Sequence, residues 1–290
     1  MRITWPALCT KRRRNIRPLD GLRVIALATN IPGPLAAARF HALGATVVKI
    51  EPPHGDALVH ASRAWYEAIS AGLDILTLDL RDPSSAATLE SLFGASDLLI
   101  TAMRARSLLR AGIAWETLHA RHQRLCYVSL TGEAPPDDDR AGHDLTYQAR
   151  AGTIAPPAMP RALLGDMAAA ERVVSEALAL LLRRERTGEA GYANVAITQA
   201  AADFAQPYRF GLTSEDGPLG GSMPLYRLYA ARDGWVALAA LEPHFVERVR
   251  TMLGVELLDA ETLSDAFRRE SAQEWERRAQ THDVPLAAVR

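Results

Sequence analysis

The stretch LRVIALATNIPGPLAAARFHALGATVVKI, residues 22–50, contains one complete strand–helix–strand pattern. The apolar run Leu22–Ala28 predicts a buried strand, and Thr46–Ile50 predicts a second one. The Ala- and Leu-rich segment between them predicts a helix, with Pro34 suited to its first turn and Gly44 to its C-terminal cap. Two strands joined through a helix predict a parallel pair, because a parallel crossover needs a connection of that length.

The same alternation continues through the first two thirds of the chain. A long helix is predicted from Met167 to about Arg186, and the unbroken apolar run at Ala177–Leu182 predicts that this helix is buried on all sides. Strands separated by helices predict an α/β fold with a mostly parallel sheet covered on both faces. The further predicted strands are Ile75–Leu80, Asp97–Thr101, Leu125–Leu130 and Tyr192–Ile197.

A change of composition near residue 206 predicts a domain boundary. We expect a large domain at residues 18–205 and a smaller α/β domain at residues 206–290, in which Asp233-Gly234 marks a turn between two strands. Residues 1–17, which carry a basic cluster at 11–14, are expected to form a disordered or poorly ordered extension.

Composition excludes several classes of function. The 290 residues carry a formal net charge of −1, whereas nucleic-acid and membrane-surface binding need a concentrated positive field. Cys9 and Cys126 lie too far apart for a metal-ligand motif, and no apolar run approaches the roughly 20 residues that span a bilayer. We therefore expect a cytoplasmic protein with no metal, no tightly bound cofactor, and no nucleic-acid or membrane partner.

Common catalytic motifs are absent as well. The first strand-to-helix turn lacks GxGxxG, which argues against a dinucleotide site. The chain also has no Walker A motif, no GxSxG nucleophile elbow and no HExxH motif. The run Asp137–Asp139 is interpreted as a solvated loop rather than a metal site.

A series of short phrases resembles the family III CoA-transferases and α-methylacyl-CoA racemases. Each phrase alone is weak, but their order along residues 18 to 288 is specific. The phrases are Pro18–Val24, Leu43–Pro53, Gly55-Asp56, Leu78–Arg81, Gly142–Asp144, Gly165-Asp166, Arg186–Gly188, Tyr226–Tyr229, Asp233-Gly234 and Ala240–Phe245.

The resemblance implies a Rossmann-like large domain, a small domain and two subunits interlocked as a homodimer. It implies acyl-CoA and a carboxylic acid acceptor as substrates. In the transferases, the aspartate matching Asp166 attacks the thioester and forms a mixed anhydride. In the racemases, the residues matching His143 and Asp166 act as an acid/base pair on the α-carbon. Glu242 would be a supporting acid, and Arg104 would contact a CoA phosphate.

The residues themselves leave the chemistry open. Asp166 precedes a long helix, where Asp is a favoured N-cap and where the helix start would keep the carboxylate ionised. An ionised carboxylate suits a nucleophile and favours transfer over racemisation. His143 points the other way, since a loop histidine beside a carboxylate can titrate near neutrality and shuttle a proton.

Departures from the family pattern support a third hypothesis, a degenerate homologue that binds a CoA-like ligand or a partner without turnover. Ser70–Asp74 stands where the family carries a basic phrase that helps to hold CoA phosphates. Ala168–Ala170 replaces a glycine-rich turn and is expected to crowd a bound thioester. The chain also ends at Arg290, before the family's usual C-terminal return to the large domain.

Overall fold

The computed structural model describes residues 17–290. The expected N-terminal extension therefore lies outside the described residues, apart from Arg17. The described chain divides into two compact units, residues 17–204 and 205–290.

The first unit is built on a six-stranded sheet in which every pair of neighbouring strands is parallel. The strand order is β3-β2-β1-β4-β5-β6. This order confirms the predicted α/β class with a Rossmann-like parallel sheet. The strands are β1 Arg23–Leu27, β2 Thr46–Glu51, β3 Asp74–Thr77, β4 Leu98–Thr101, β5 Cys126–Thr131 and β6 Tyr192–Ala196.

Helices cover both faces of this sheet, as its apolar strands require. Along β1, Val24 and Ala26 contribute to one core with α1 and α8, whereas Ile25 and Leu27 contribute to a second core with α4 and α6. The helices are α1 Pro32–Ala42, α2 Leu58–Ala61, α3 Arg63–Ser70, α4 Ser85–Gly94, α5 Ala105–Arg110, α6 Trp115–Arg121, α7 Asp144–Ala151, α8 Leu164–Thr187 and α9 Ile197–Phe204.

The second unit has its own antiparallel sheet and its own core. Strands β7 Tyr226–Ala230, β8 Trp235–Ala239 and β9 Leu286–Ala288 pair in the order β7-β8-β9. The indole Nε1–H of Trp275 donates to the Phe267 carbonyl at 2.7 Å, which satisfies the polar atom of this buried ring. The helices are α10 Gln206–Arg209, α11 Pro243–Leu253, α12 Ala260–Phe267 and α13 Ala272–His282, and a π-type turn spans Pro218–Ser222.

Two details differ from the predictions. Strand β3 ends at Thr77 rather than Leu80, because the Asp79 carboxylate accepts the Arg81 N–H at 3.0 Å and begins a turn. Helix α8 is not buried on all sides, since Leu182 is 51% exposed while Leu181 is buried. The apolar run of six residues therefore extends onto the solvent-facing side of this helix.

A buried charged network, formed by Lys49, Glu51, Asp56 and Tyr66, lies beside the end of β2. The Lys49 ammonium, which is fully buried, contacts Glu51 Oε1 at 2.7 Å and Asp56 Oδ2 at 2.6 Å. The Tyr66 hydroxyl donates to Glu51 Oε1 at 2.8 Å. Because each charge is paired and hydrogen-bonded, the network is compatible with burial, but the loss of one member leaves an uncompensated charge.

Replacing Lys49 with Met should therefore lower the free energy of unfolding by about 3–5 kcal/mol, since two buried carboxylates lose their counter-charge. Arg63→Met is the control, because the Arg63–Glu67 pair is exposed (76% and 62%) and such pairs contribute at most about 1 kcal/mol. Denaturant unfolding of both variants checks the prediction. If the two variants lost similar amounts of unfolding free energy, the network would not stabilise the fold.

Candidate active site

Two adjoining clefts lie at the carboxyl edge of the parallel sheet, where β1 and β4 are neighbours. This is the point at which the strand order reverses, and open α/β sheets bind ligands there. The larger cleft has a volume of about 730 Å³. The smaller one, about 240 Å³, contains Asp166 and is called the Asp166 cleft below. Thr29, Ala102 and Met103 line both clefts, so the two adjoin each other.

Asp166 is held in place by a carboxylate from the preceding helix. The residue lies in the first turn of α8, which begins at Leu164 with Leu163 as its N-cap. Its backbone N–H donates to Asp144 Oδ1 at 3.0 Å, and Asp144 is itself buried in the first turn of α7. Gln148, one turn further along α7, donates through Nε2 to Asp144 Oδ2 at 2.5 Å and to the Ala162 carbonyl at 2.8 Å. The Asp144 carboxylate thus supplies the helix cap that Leu163 lacks.

Gly165 allows this approach of α7 to α8. A Cβ atom at Gly165 would lie 3.1 Å from Asp144 Oδ1 and 3.2 Å from Ile197 Cγ2. Glycine at this position therefore permits the close packing on which the Asp144–Asp166 hydrogen bond depends.

The Asp166 carboxylate is 9% exposed, and it forms no hydrogen bond with any other residue among 17–290. Burial, together with the nearby negative charge of Asp144, raises the pKa of Asp166 from 3.8 to about 7. Both causes disfavour the charged form, the first through desolvation and the second through repulsion. A carboxyl group that titrates near pH 7 is suited to proton transfer as well as to nucleophilic attack.

Two expectations for Asp166 are therefore wrong. It is the third residue of α8 rather than its N-cap, because Asp144 satisfies the helix start from outside. Its carboxylate is not kept ionised by the helix start, because burial and the Asp144 charge outweigh that effect. The preference for transfer that rested on an ionised carboxylate loses its basis.

His143 lines the Asp166 cleft and is exposed there. It is the last residue of the loop before α7 and the N-cap residue of that helix, and Thr146 Oγ1 donates to its carbonyl at 2.8 Å. Tyr147 of the same helix packs against the loop before it: a Cβ atom at Gly132 or Gly142 would lie within 2.1 Å or 2.6 Å of its hydroxyl. These two glycines let the Tyr147 ring enter the wall of the cleft.

Cationic side chains line both clefts. Arg104, the N-cap residue of α5, is exposed in the Asp166 cleft, as is Arg140. Arg81 and Arg110 line the large cleft, where Arg81 pairs with Asp79 at 3.0 Å.

The cationic residues Arg81, Arg110 and Arg140 are absent from the predicted site. Arg110 follows β4 by nine residues, and Arg140 lies in the long loop after β5. Their position after parallel strands is the signal that sequence reasoning could have used, because such segments meet at one edge of the sheet.

The remaining predicted features lie elsewhere. Glu242, in the second unit, is exposed as the N-cap residue of α11, so its supporting role stays a prediction. Ala168–Ala170 pack in the core and do not line either cleft, so the expected crowding of a ligand is wrong.

Among residues 17–290, no group of three or more His, Cys, Asp or Glu side chains could hold a metal ion. In the same range, no helix has the length and apolar character of a membrane span.

Comparison with known proteins identifies the family. The model of CoA-transferase family III matches residues 19–290. The chain belongs to this family. It is 29% identical to succinyl-CoA–D-citramalate CoA-transferase of Chloroflexus aurantiacus over 64% of this chain and 50% of that protein. It is 28% identical to succinate–glutarate CoA-transferase of Agrobacterium fabrum over 82% of this chain and 67% of that protein.

The family also contains racemases, and α-methylacyl-CoA racemase of Homo sapiens is 28% identical over 82% of this chain and 65% of that protein. The chain thus spans from half to two thirds of the length of these curated relatives. The crystal structure of Rv3272 from Mycobacterium tuberculosis shares the fold, with a TM-score of 0.80 at 24% identity over 95% of this chain and 84% of that one. These similarities confirm the recognised family and its fold. The similar proteins include both CoA-transferases and a racemase, so they do not decide between the two reactions.

The raised pKa of Asp166 has a consequence for stability. Because the folded protein holds this proton up to about pH 7 while the unfolded chain releases it near pH 3.8, ionisation opposes folding progressively between these values. Asp166→Asn should therefore increase the free energy of unfolding at pH 7.5 by about 1–3 kcal/mol, and this gain should vanish near pH 4.

Denaturant unfolding of wild type and Asp166→Asn at both pH values measures this effect. Glu176→Gln, an exposed substitution on the same helix, is the control and should change neither value. A neutral or destabilising effect of Asp166→Asn at pH 7.5 would contradict the assignment of a strained, buried carboxylate.

Proposed function

We propose that this chain transfers CoA between carboxylic acids and that Asp166 is the nucleophile. The observation that carries the proposal is the position of Asp166, which lines a small cleft that adjoins a much larger one. A CoA thioester is a long ligand with a reactive end and a phosphorylated end. The two clefts offer a separate place for each.

The charges and walls of the large cleft support the placement of the nucleotide end of CoA there. Leu27, Ile50 and Met103 provide apolar surface for a base and for the pantetheine arm. Arg81 and Arg110 provide guanidinium groups, which bind phosphate oxygens through paired hydrogen bonds. Two arginines thus line this cleft, although Ser70–Asp74 lacks the basic phrase that the family carries before β3.

The transfer begins with attack of an ionised Asp166 oxygen on the thioester carbonyl carbon. The C–S bond breaks, the CoA thiolate leaves and an acyl–aspartyl anhydride forms. The thiolate then attacks the aspartyl carbonyl, which releases the donor acid as a carboxylate and leaves an aspartyl-CoA thioester. The acceptor carboxylate repeats these steps in reverse, so the new acyl-CoA forms and Asp166 is regenerated without any external oxidant or reductant.

Hydroxylamine should trap the aspartyl intermediates of this reaction. Incubation of the protein with succinyl-CoA and hydroxylamine should convert Asp166 to a hydroxamate and abolish transfer, because hydroxylamine attacks activated acyl groups that a free carboxylate does not offer. Peptide mass spectrometry locates the modified residue.

Asp166→Asn should show no labelling under the same conditions, whereas Glu176→Gln should be labelled like wild type. Calorimetric titration with CoA accompanies the experiment. Unlabelled wild-type protein that still binds CoA tightly would contradict transfer and favour the non-catalytic homologue.

Racemisation at the α-carbon of an acyl-CoA is a second candidate, and the pKa of Asp166 near 7 favours it. His143 lines the same cleft, so the two groups could serve as base and acid. One would remove the α-proton as the electron pair moves onto the thioester carbonyl. The other would return a proton to the opposite face of the carbon.

The second candidate predicts solvent deuterium at the α-carbon of a 2-methylacyl-CoA with no acceptor acid present. Both Asp166→Asn and His143→Gln should lower the rate of interconversion of the two epimers by at least about 100-fold, since inversion needs both proton-transfer groups. Mass spectrometry of the recovered thioester measures the exchange, and chiral separation measures the inversion. Inversion that survives in either variant would exclude the paired mechanism.

A further inference from the structure

Asn30 lies in the turn between β1 and α1 and lines the Asp166 cleft. Its φ angle is +69°, in the left-handed region that residues other than glycine rarely adopt. Among the non-glycine residues from 17 to 290, only Asn30 and Asp283 have a positive φ. Strained backbone of this kind persists where the surrounding structure enforces it, and it occurs often at functional sites.

The buried charged network enforces this conformation. Asp56 Oδ1 accepts the Asn30 N–H at 2.9 Å and the Leu58 N–H at 3.0 Å. The other oxygen of Asp56 contacts the Lys49 ammonium at 2.6 Å, and the side chains of both residues are fully buried. The turn is therefore fixed by an acceptor that cannot move without the separation of a buried ion pair.

The fixed backbone presents the Asn30 side chain to the cleft. This side chain is exposed, and its amide forms no hydrogen bond with the other described residues. The amide offers two N–H donors without a charge. A neutral donor in the same cleft as Asp166 can stabilise negative charge on a ligand atom without holding the Asp166 carboxylate in a salt bridge.

We propose that the side-chain amide of Asn30 donates a hydrogen bond to the acyl carbonyl oxygen of the bound thioester. The proposal rests on the function proposed for Asp166. When an Asp166 oxygen attacks the carbonyl carbon, the C=O electron pair moves onto the oxygen, and the Asn30 N–H faces the resulting negative charge. Collapse of this intermediate restores the C=O bond and expels the CoA thiolate, and Asn30 neither gains nor loses a proton.

Substitutions at Asn30 separate the role of its side-chain amide from the role of its backbone conformation. Glycine adopts a positive φ without strain, so Asn30→Gly keeps the turn and removes only the amide. Asn30→Asp keeps the size of the side chain and replaces its donors with an acceptor. Asn30→Ala removes the amide and also strains the turn.

Both Asn30→Gly and Asn30→Asp should lower kcat for transfer from succinyl-CoA by about 100–1,000-fold, the order of loss expected for one donor to a developing oxyanion. The Kd for CoA should stay within about twofold of the wild-type value, because the donor acts on the acyl carbonyl. A Gly variant with wild-type kcat, beside an impaired Ala variant, would overturn the proposal and reduce Asn30 to a backbone role.

Hydroxylamine labelling of Asp166 in wild type distinguishes a failure of the Asn30 role from a failure of the covalent function. Labelled wild type with a fully active Gly variant refutes the Asn30 role alone. Unlabelled wild type refutes the covalent function, and the Asn30 role falls with it. Labelled wild type with slow labelling of both the Gly and Asp variants supports both proposals.

Discussion

The hydrogen bond from the Asp166 N–H to the buried Asp144 carboxylate is the constraint on which the site depends. It starts helix α8 from outside that helix and places two carboxyl groups close together in a poorly solvated region. Burial raises the pKa of Asp166, and the contact that positions this residue raises the pKa further, because Asp144 contributes negative charge as well as an acceptor. The contact that positions the carboxyl group thus also adds to its reactivity.

A second buried carboxylate, Asp56, has a matching role on the opposite side of the topological switch point. Its partner is the cation Lys49, which it shares with Glu51, whereas the Asp144–Asp166 pair has no cation within its hydrogen bonds. The ion-paired carboxylate can fix the β1–α1 turn rigidly, while the pair without a cation leaves one carboxyl group poised between two protonation states. The cleft therefore combines a rigid wall with a titratable group.

Much of the fold was predictable, because runs such as Leu22–Ala28 and Thr46–Ile50 carry a periodicity that survives in the structure. Asp166, His143 and Arg104 were found through motif order, and the structure brings all three to one cleft. The protonation of Asp166 was not predictable, since it depends on burial and on Asp144, 22 residues earlier in the chain. The cations Arg110 and Arg140 are missing from the predicted site, although their position after predicted parallel strands already indicates that their segments meet at one edge of the sheet.

The central claim is that a buried carboxyl group beside Asp144 titrates near neutrality in the Asp166 cleft. Its most direct test is a ¹³C NMR titration of protein labelled at the aspartate carboxyl carbons, with the Asp166 signal assigned by its absence in Asp166→Asn. The account predicts a midpoint of about 7 for this signal. A midpoint near the ordinary value of 3.8 would contradict it, because the carboxylate would then be solvated or paired rather than buried beside a like charge.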